Sequence, residues 1–230
     1  MSLEFKTALK ASIPVMMGYL VLGFAFGLLL SSQGLGWPWA LAMSALIYAG
    51  ALQFAAVGFF AAKLGLIPIA IASLFINVRQ AFYGLSLLKK FAKTGWKKPY
   101  LIHALTDETY ALLTTIPLSE GLDPRRYYLY LSALNHSYWI TGSVLGALVG
   151  GSVTFDTRGV AFSLTALFVV LAMENYKSRR QILPFVIGAV ASAVAMMTVS
   201  SANMLIVAIV LSLVMLFALR RQIEPGESDA

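Results

Sequence analysis

The sequence contains no cysteine, which excludes disulfides, thiolate nucleophiles and cysteine-ligated metals. Charge is scarce as well. Only 12% of the 230 residues are Asp, Glu, Lys or Arg, against about 25% in an ordinary soluble domain. There are 10 acidic residues and two histidines. The histidines lie far apart with no cluster of carboxylates beside them, so neither a metal nor a cofactor is expected. Neither H-E-x-x-H nor G-x-S-x-G occurs, and without a nucleophile–base set or a metal cluster an enzyme is not expected. No stretch is long enough to form a soluble domain or a linker between two.

What fills the chain instead is apolar. Hydrophobic residues make up 59% of it, and mean hydropathy is +0.80. Apolar segments run over 12–32, 38–62, 65–88, 100–117, 127–150, 158–175, 182–198 and 203–219. A helix needs about 20 apolar residues to cross a bilayer. The pattern predicts an all-α polytopic membrane protein, 1–230 being one transporter domain with about eight membrane segments. The first run, from Ile13 to Leu30, is too long for the core of a cleavable signal and has no A-x-A-like site after it, so it reads as the first span. The net charge of +7 reads as loop cations that hold orientation rather than as a nucleic-acid surface.

Those cations are Lys6 and Lys10 before the first segment, Arg125 and Arg126 before the fifth, Lys177, Arg179 and Arg180 after the sixth, and Arg220 and Arg221 at the end. Between them, 31–37 and 199–203 carry no basic residue and 151–157 carries only Asp156. The alternation predicts that both termini are cytoplasmic. One loop resists. Lys89, Lys90, Lys93, Lys97 and Lys98 fall where simple counting puts the outside. The conflict disappears if 65–88 and 100–117 are broken or re-entrant segments, which survive at membrane depth only where protein or a watery cavity covers them. Pro68 and the polar clusters within both segments favour that reading.

A faint repeat also appears. "YLVLGFAFG" (Tyr19 to Gly27) and "YWITGSVLG" (Tyr138 to Gly146) share Tyr, Gly and Gly in register, 119 residues apart. Ala42 and Ser44 match Ala161 and Ser163 at the same offset. The repeat halves would be 12–117 and 127–219, both entering the membrane in one sense. Within them, Gly23 and Gly27, and Gly142, Gly146 and Gly150, have the small-xxx-small spacing that lets helix backbones approach closely.

Several polar residues interrupt the apolar runs. Gln53 sits deep in the second segment, and an unpaired amide there costs roughly 2–7 kcal/mol. It therefore bonds either a neighbouring helix or a solute. Asn77, Arg79 and Gln80 interrupt the third segment. A buried guanidinium needs a partner or an aqueous cavity, unless Arg79 merely snorkels to the surface. The fourth segment carries His103, Asp107 and Tyr110 at one-face helical spacing, with Glu108 beside them. Asp107 is the expected partner of Arg79. Asp107 or Glu108 is also suited to carry a proton or meet an ammonium group. In the fifth segment, Asn135, Tyr138, Trp139 and Gly142 share a face with His136 next to it, forming either an interfacial belt or a pocket edge.

"GFAFG", "YAGALQF" (Tyr48 to Phe54), "NVRQAFYG" (Asn77 to Gly84), "LTDETY" (Leu105 to Tyr110) and "WITGSVLG" occur in an order and spacing that resembles the AzlC family, over nearly the whole chain. The resemblance implies the large subunit of a branched-chain amino acid exporter in a bacterial inner membrane. It also implies a small AzlD-type membrane subunit as partner; with the polar residues above at the midplane, the expected mechanism is secondary active, proton-coupled export. The motif positions correspond to Gln53, Asn77, Arg79, Asp107 and Glu108. Gln80 stands where the family often has histidine, which puts a role for that side chain in doubt. The rival reading is a passive channel for a small solute.

Overall fold

A computed structural model describes residues 2–92, 94–116, 121–152, 169, 173, 176, 181–199 and 201–219. Every regular element among them is helical: α1 (Leu3–Ser32), α2 (Trp37–Leu46), α3 (Gly50–Ala61), α4 (Leu66–Leu87), a 3-10 turn (Gly95–Lys97), α5 (Lys98–His103), α6 (Asp107–Thr115), α7 (Pro124–Ser152), α8 (Leu183–Thr198) and α9 (Ser201–Ala218). Two compact units result. The first comprises Met1–Ala61 and Ile76–Thr157, the second Ala62–Phe75 and Arg158–Ala230. In the second unit α8 and α9 pack together, and Gly188 and Ser192 face Ser212 and Leu216 across a groove of about 370 Å³.

The expectation of about eight segments is met only in part. Among the described residues two helices, α1 and α4, are both long and apolar enough to cross a membrane. The expected segment 158–175 lies outside the described residues except at 169 and 173, as do Asp156, Ala161, Ser163 and the cations Lys177, Arg179, Arg180, Arg220 and Arg221. Large apolar side chains nonetheless point outward in both units: Val21 is 68% exposed, Leu66 85% and Phe217 74%. Such surface is costly in water and at no disadvantage against lipid.

Helix α1 starts where Ser2 accepts a hydrogen bond from the Phe5 N–H. It ends in a Schellman motif: Gly34, at φ 78°, donates to the Ser31 carbonyl, and Leu35 donates to that of Leu30. Its 30 residues span about 45 Å. Pro14 lies inside the helix, as membrane-helix prolines can.

Glycines set how α1 meets α7. A Cβ placed on Gly23 would lie 2.9 Å from the Trp139 carbonyl oxygen, and one on Gly142 would lie 2.7 Å from that of Leu20. On Gly27 it would strike the Ser143 carbonyl, and on Gly146 that of Phe24. Residues i and i+119 therefore face each other along the seam, and the two helices run parallel. Exchanging them maps each contact onto its counterpart: Trp139 onto Leu20, Ser143 onto Phe24. The glycines named from spacing form this seam, where backbone touches backbone without intervening side chains.

Around α1 the rest of the first unit forms two hairpins. Tyr19 lies mid-helix, about 24 Å along α1. Helix α2 begins just past the end of α1 and brings Ser44 to His136, where the Ser44 carbonyl meets Nε2 at 3.0 Å. The chain turns at 47–49 beside Tyr19. Helix α3 then returns along α1, so that Phe54 packs on Phe26 with ring centroids 5.7 Å apart. Residues 38–62, expected as one crossing segment, are instead two helices, α2 and α3, with the chain reversing at 47–49.

The second hairpin comes from the opposite end. Leu101 in α5 and Leu113 in α6 both pack with Ala8, Leu87, Phe91 and Tyr128 near the start of α1. The turn between them, at Ala104–Thr106, reaches Tyr19. The expected break in 100–117 is present, while 65–88 holds an unbroken 22-residue helix with Pro68 in its first turn. The lysine-rich loop follows Leu87 at the Ala8 end, where Phe91 packs with Ala8 and Tyr128, and Lys90 donates to the Leu113 carbonyl at 2.6 Å.

Candidate functional site

The turns of the two hairpins meet beside the midpoint of α1. At the first, Tyr48 adopts φ 44°, a left-handed conformation costing of order 1–3 kcal/mol for a residue other than glycine. Its ring stacks on His136 at 4.1 Å and meets Tyr19 edge-on at 6.5 Å. At the second, Thr106 caps α6 by accepting from the Thr109 N–H at 3.2 Å. Asp107 and Glu108 then fall in the first turn of α6, the positive end of its dipole. His103 Nε2 lies 3.3 Å from the Ala45 carbonyl and ties one turn to the other.

The two carboxylates diverge. Asp107 Oδ2 pairs with Arg79 Nη1 at 2.8 Å, the two side chains being 39% and 44% exposed. Neither side chain is enclosed by the described residues. Because Asp107 precedes Glu108, which bonds Tyr19, the guanidinium stands near the midpoint of α1. Glu108 accepts a 2.6 Å hydrogen bond from the Tyr19 hydroxyl, which also lies 2.6 Å from Thr106 Oγ1.

Behind Glu108 the polar chain continues inward. Thr106 donates to Thr109 Oγ1 at 3.1 Å, and Asn135 Nδ2 donates to the same oxygen at 3.0 Å. Asn135 is fully buried, yet its Oδ1 has no partner among the described residues; nor have the Tyr48 hydroxyl and Asp107 Oδ1. Burying such an atom unpaired costs about 1–3 kcal/mol. Three of them lie around this junction; Tyr127 Oη and Ser132 Oγ, on α7, are likewise without a partner among the described residues.

Gln53 occupies a separate layer. Its Oε1 accepts from Trp139 Nε1 at 2.9 Å and its Nε2 donates to Ser44 at 3.2 Å. Both ends of the amide are thus engaged in joining α2, α3 and α7. Asn77 is half-buried on α4 and makes no hydrogen bond among the described residues. Of the residues singled out from sequence, Arg79, Asp107, Glu108 and Asn135 come together, while Gln53 and Asn77 stand apart. The supposed common face of His103, Asp107 and Tyr110 is lost, because the break at 104–106 ends the helix. Tyr110 instead stacks on Tyr83 at 4.3 Å. Tyr138 bonds Ser12 at 3.1 Å, and Trp139 is core.

Sequence reasoning missed Tyr19, Thr106 and Thr109, and met Tyr48 only as the first residue of the "YAGALQF" motif. "TDET" carried a usable signal, since threonine followed by two acids is a helix start. Nothing comparable announced Tyr48.

The sequence model described as "AzlC protein" matches residues 14–153. An uncharacterized membrane protein of Helicobacter pylori (strain ATCC 700392 / 26695) is 43% identical over 220 residues, 96% of each chain. The branched-chain amino acid transport protein AzlC of Bacillus subtilis (strain 168) is 31% identical, covering 97% of this chain and 88% of that one. The inner membrane protein YgaZ of Escherichia coli (strain K12) is 28% identical over 79% and 77%. No solved structure matches.

Proposed function

The chain belongs to the AzlC family, and from that premise we propose that it is a secondary active, proton-coupled exporter of branched-chain or other hydrophobic amino acids. It is a membrane transport protein, not an enzyme. In the proposal it acts in a bacterial inner membrane, with both termini cytoplasmic and with a small AzlD-type membrane subunit. The naming of the Bacillus relative as a branched-chain amino acid transport protein supports the substrate class. That of the Escherichia relative as an inner membrane protein supports the location.

One observation carries the mechanism: the accessible Arg79–Asp107 pair at the junction of two opposed hairpins. A zwitterionic amino acid needs a cation for its carboxylate and an acceptor for its ammonium. A zwitterion can exchange for this pair rather than break it outright, Arg79 turning its planar donors to the substrate carboxylate. The acidic turn of α6 then faces the ammonium or a coupling proton. Two short half-helices abutting at mid-depth can also move separately, one hairpin closing as the other opens.

The test is counterflow of labelled leucine or valine in proteoliposomes containing the chain and its small subunit, with and without a proton gradient. We expect saturable, gradient-sensitive flux that falls at least tenfold in Arg79→Ala and in Asp107→Asn. Wild-type rates in both variants remove the site. Gradient-blind, non-saturating flux means a passive channel.

A further inference from the structure

Glu108, Asn135 and Tyr48 have no role in the fold that accounts for all their polar atoms. Asp107 is committed to Arg79 through Oδ2, whereas the Glu108 side chain bonds only a neutral hydroxyl, that of Tyr19. Asn135 spends its amide N–H on Thr109 and leaves its carbonyl oxygen buried and unpaired. The Tyr48 side chain is 2% exposed and its hydroxyl lies near Tyr19, Thr109 and Glu108, without good hydrogen-bond geometry to any described residue. Links from Glu108 through Tyr19, Thr106 and Thr109 to Asn135 show that these groups share one patch. Among the described residues its open groups are one carboxylate and two neutral oxygens, with the Asp107–Arg79 pair alongside.

That inventory fits one ligand chemistry. A primary ammonium has three N–H donors and no acceptor. A carboxylate ligand would meet Glu108 as a like charge. We infer that Glu108, Asn135 Oδ1 and the Tyr48 hydroxyl form the ammonium subsite for the transported amino acid, with Glu108 supplying the charge and the two buried oxygens the direction. The inference rests on the transport reading above and divides its labour: Arg79 takes the carboxylate, and Glu108 rather than Asp107 takes the ammonium. It also explains an otherwise costly arrangement. Buried oxygens left open in the empty protein are satisfied when the ligand arrives, so part of the binding energy is held in reserve by the fold.

The experiment uses the full-length protein with its small subunit in nanodiscs and three probes. These are leucine, isoamylamine (ammonium without carboxylate) and the 2-oxo acid of leucine (carboxylate without ammonium). Tyr48→Phe and Glu108→Gln are expected to weaken isoamylamine and leucine about ten- to hundredfold, the range for a lost hydrogen bond to a charged group. The 2-oxo acid should bind equally well to both variants and the wild type. Tyr48→Phe should also melt no lower than wild type, since the deleted hydroxyl has no partner to lose. Equal weakening of the amine and the oxo acid, or amine binding unchanged in both variants, overturns the subsite. Amine binding that sodium ions replace overturns it in favour of an inorganic-ion site. Wild-type protein that binds and transports leucine while either of these holds leaves the transport reading standing and removes only the subsite. Wild-type protein that binds no leucine removes both.

Discussion

Replacing Gly27 with alanine tests how α1 and α7 are joined. The added methyl would strike the Ser143 carbonyl oxygen and lie 2.5 Å from the Ala147 nitrogen and 2.9 Å from the Gly146 carbonyl carbon. Ordinary carbon–oxygen contacts begin near 3.3 Å, and the obstacles are backbone atoms, which cannot swing aside. The helices must separate, and the neighbouring glycine contacts open with them. Overpacking of this kind costs about 1–3 kcal/mol, offset by at most about 1 kcal/mol of helix propensity gained over glycine. Gly18→Ala is the internal control. It lies on the same helix with nothing within 4 Å of the new methyl, so only the propensity gain applies. For a chain of this length 1 kcal/mol shifts Tm by about 2–4 °C. Thermal unfolding in detergent should therefore place Gly27→Ala several degrees below wild type and Gly18→Ala level with it or slightly above. Gly27→Ala combined with Gly146→Ala should cost less than the two single costs summed, because one separation of the helices accommodates both methyls. A Gly27→Ala protein as stable as Gly18→Ala refutes the seam.

Two further outcomes check the hairpins. Thr106→Val removes the cap of α6 and an oxygen beside the Tyr19 hydroxyl, and should lower stability by about 1–2 kcal/mol; Thr106→Ser should restore most of it, and equal melting of the two variants would show that no cap is there. Since the native chain has no cysteine, Lys6→Cys and Lys97→Cys can each be labelled singly in intact cells and in inverted vesicles. Both should react with an impermeant reagent from the same side, and opposite sides would contradict a reversal at 47–49 that returns 38–62 to the side it entered from.

Much of the site could be read in the residues because intramembrane polarity is costly and so conspicuous. Arg79 and Asp107 were paired on that ground alone, and they touch at 2.8 Å. The seam glycines were legible because their spacing matches a helix turn. The path of the chain was not. Residues 38–62 are as apolar as a crossing segment, since a hairpin buried in protein faces the same lack of water as a span facing lipid, and composition does not separate the two. The turn at Tyr48 rests on a left-handed backbone that no side-chain preference advertises, and on contacts with Tyr19 and His136 from elements distant in sequence. The lysine loop was the one visible symptom. Its awkward charge pointed to broken segments in 65–88 and 100–117; the second is broken at 104–106, while the first is one continuous helix and the further reversal lies at 47–49.

The opposed hairpins also bear on voltage. Where two hairpins meet beside the middle of α1, the field of a bilayer falls across polar groups as well as hydrocarbon. Each elementary charge carried through the whole field is worth about 2.3 kcal/mol per 100 mV. If water reaches the junction from both faces, a short displacement near Arg79 would sense much of that potential, and turnover would follow the electrical gradient more steeply than the size of the motion alone implies.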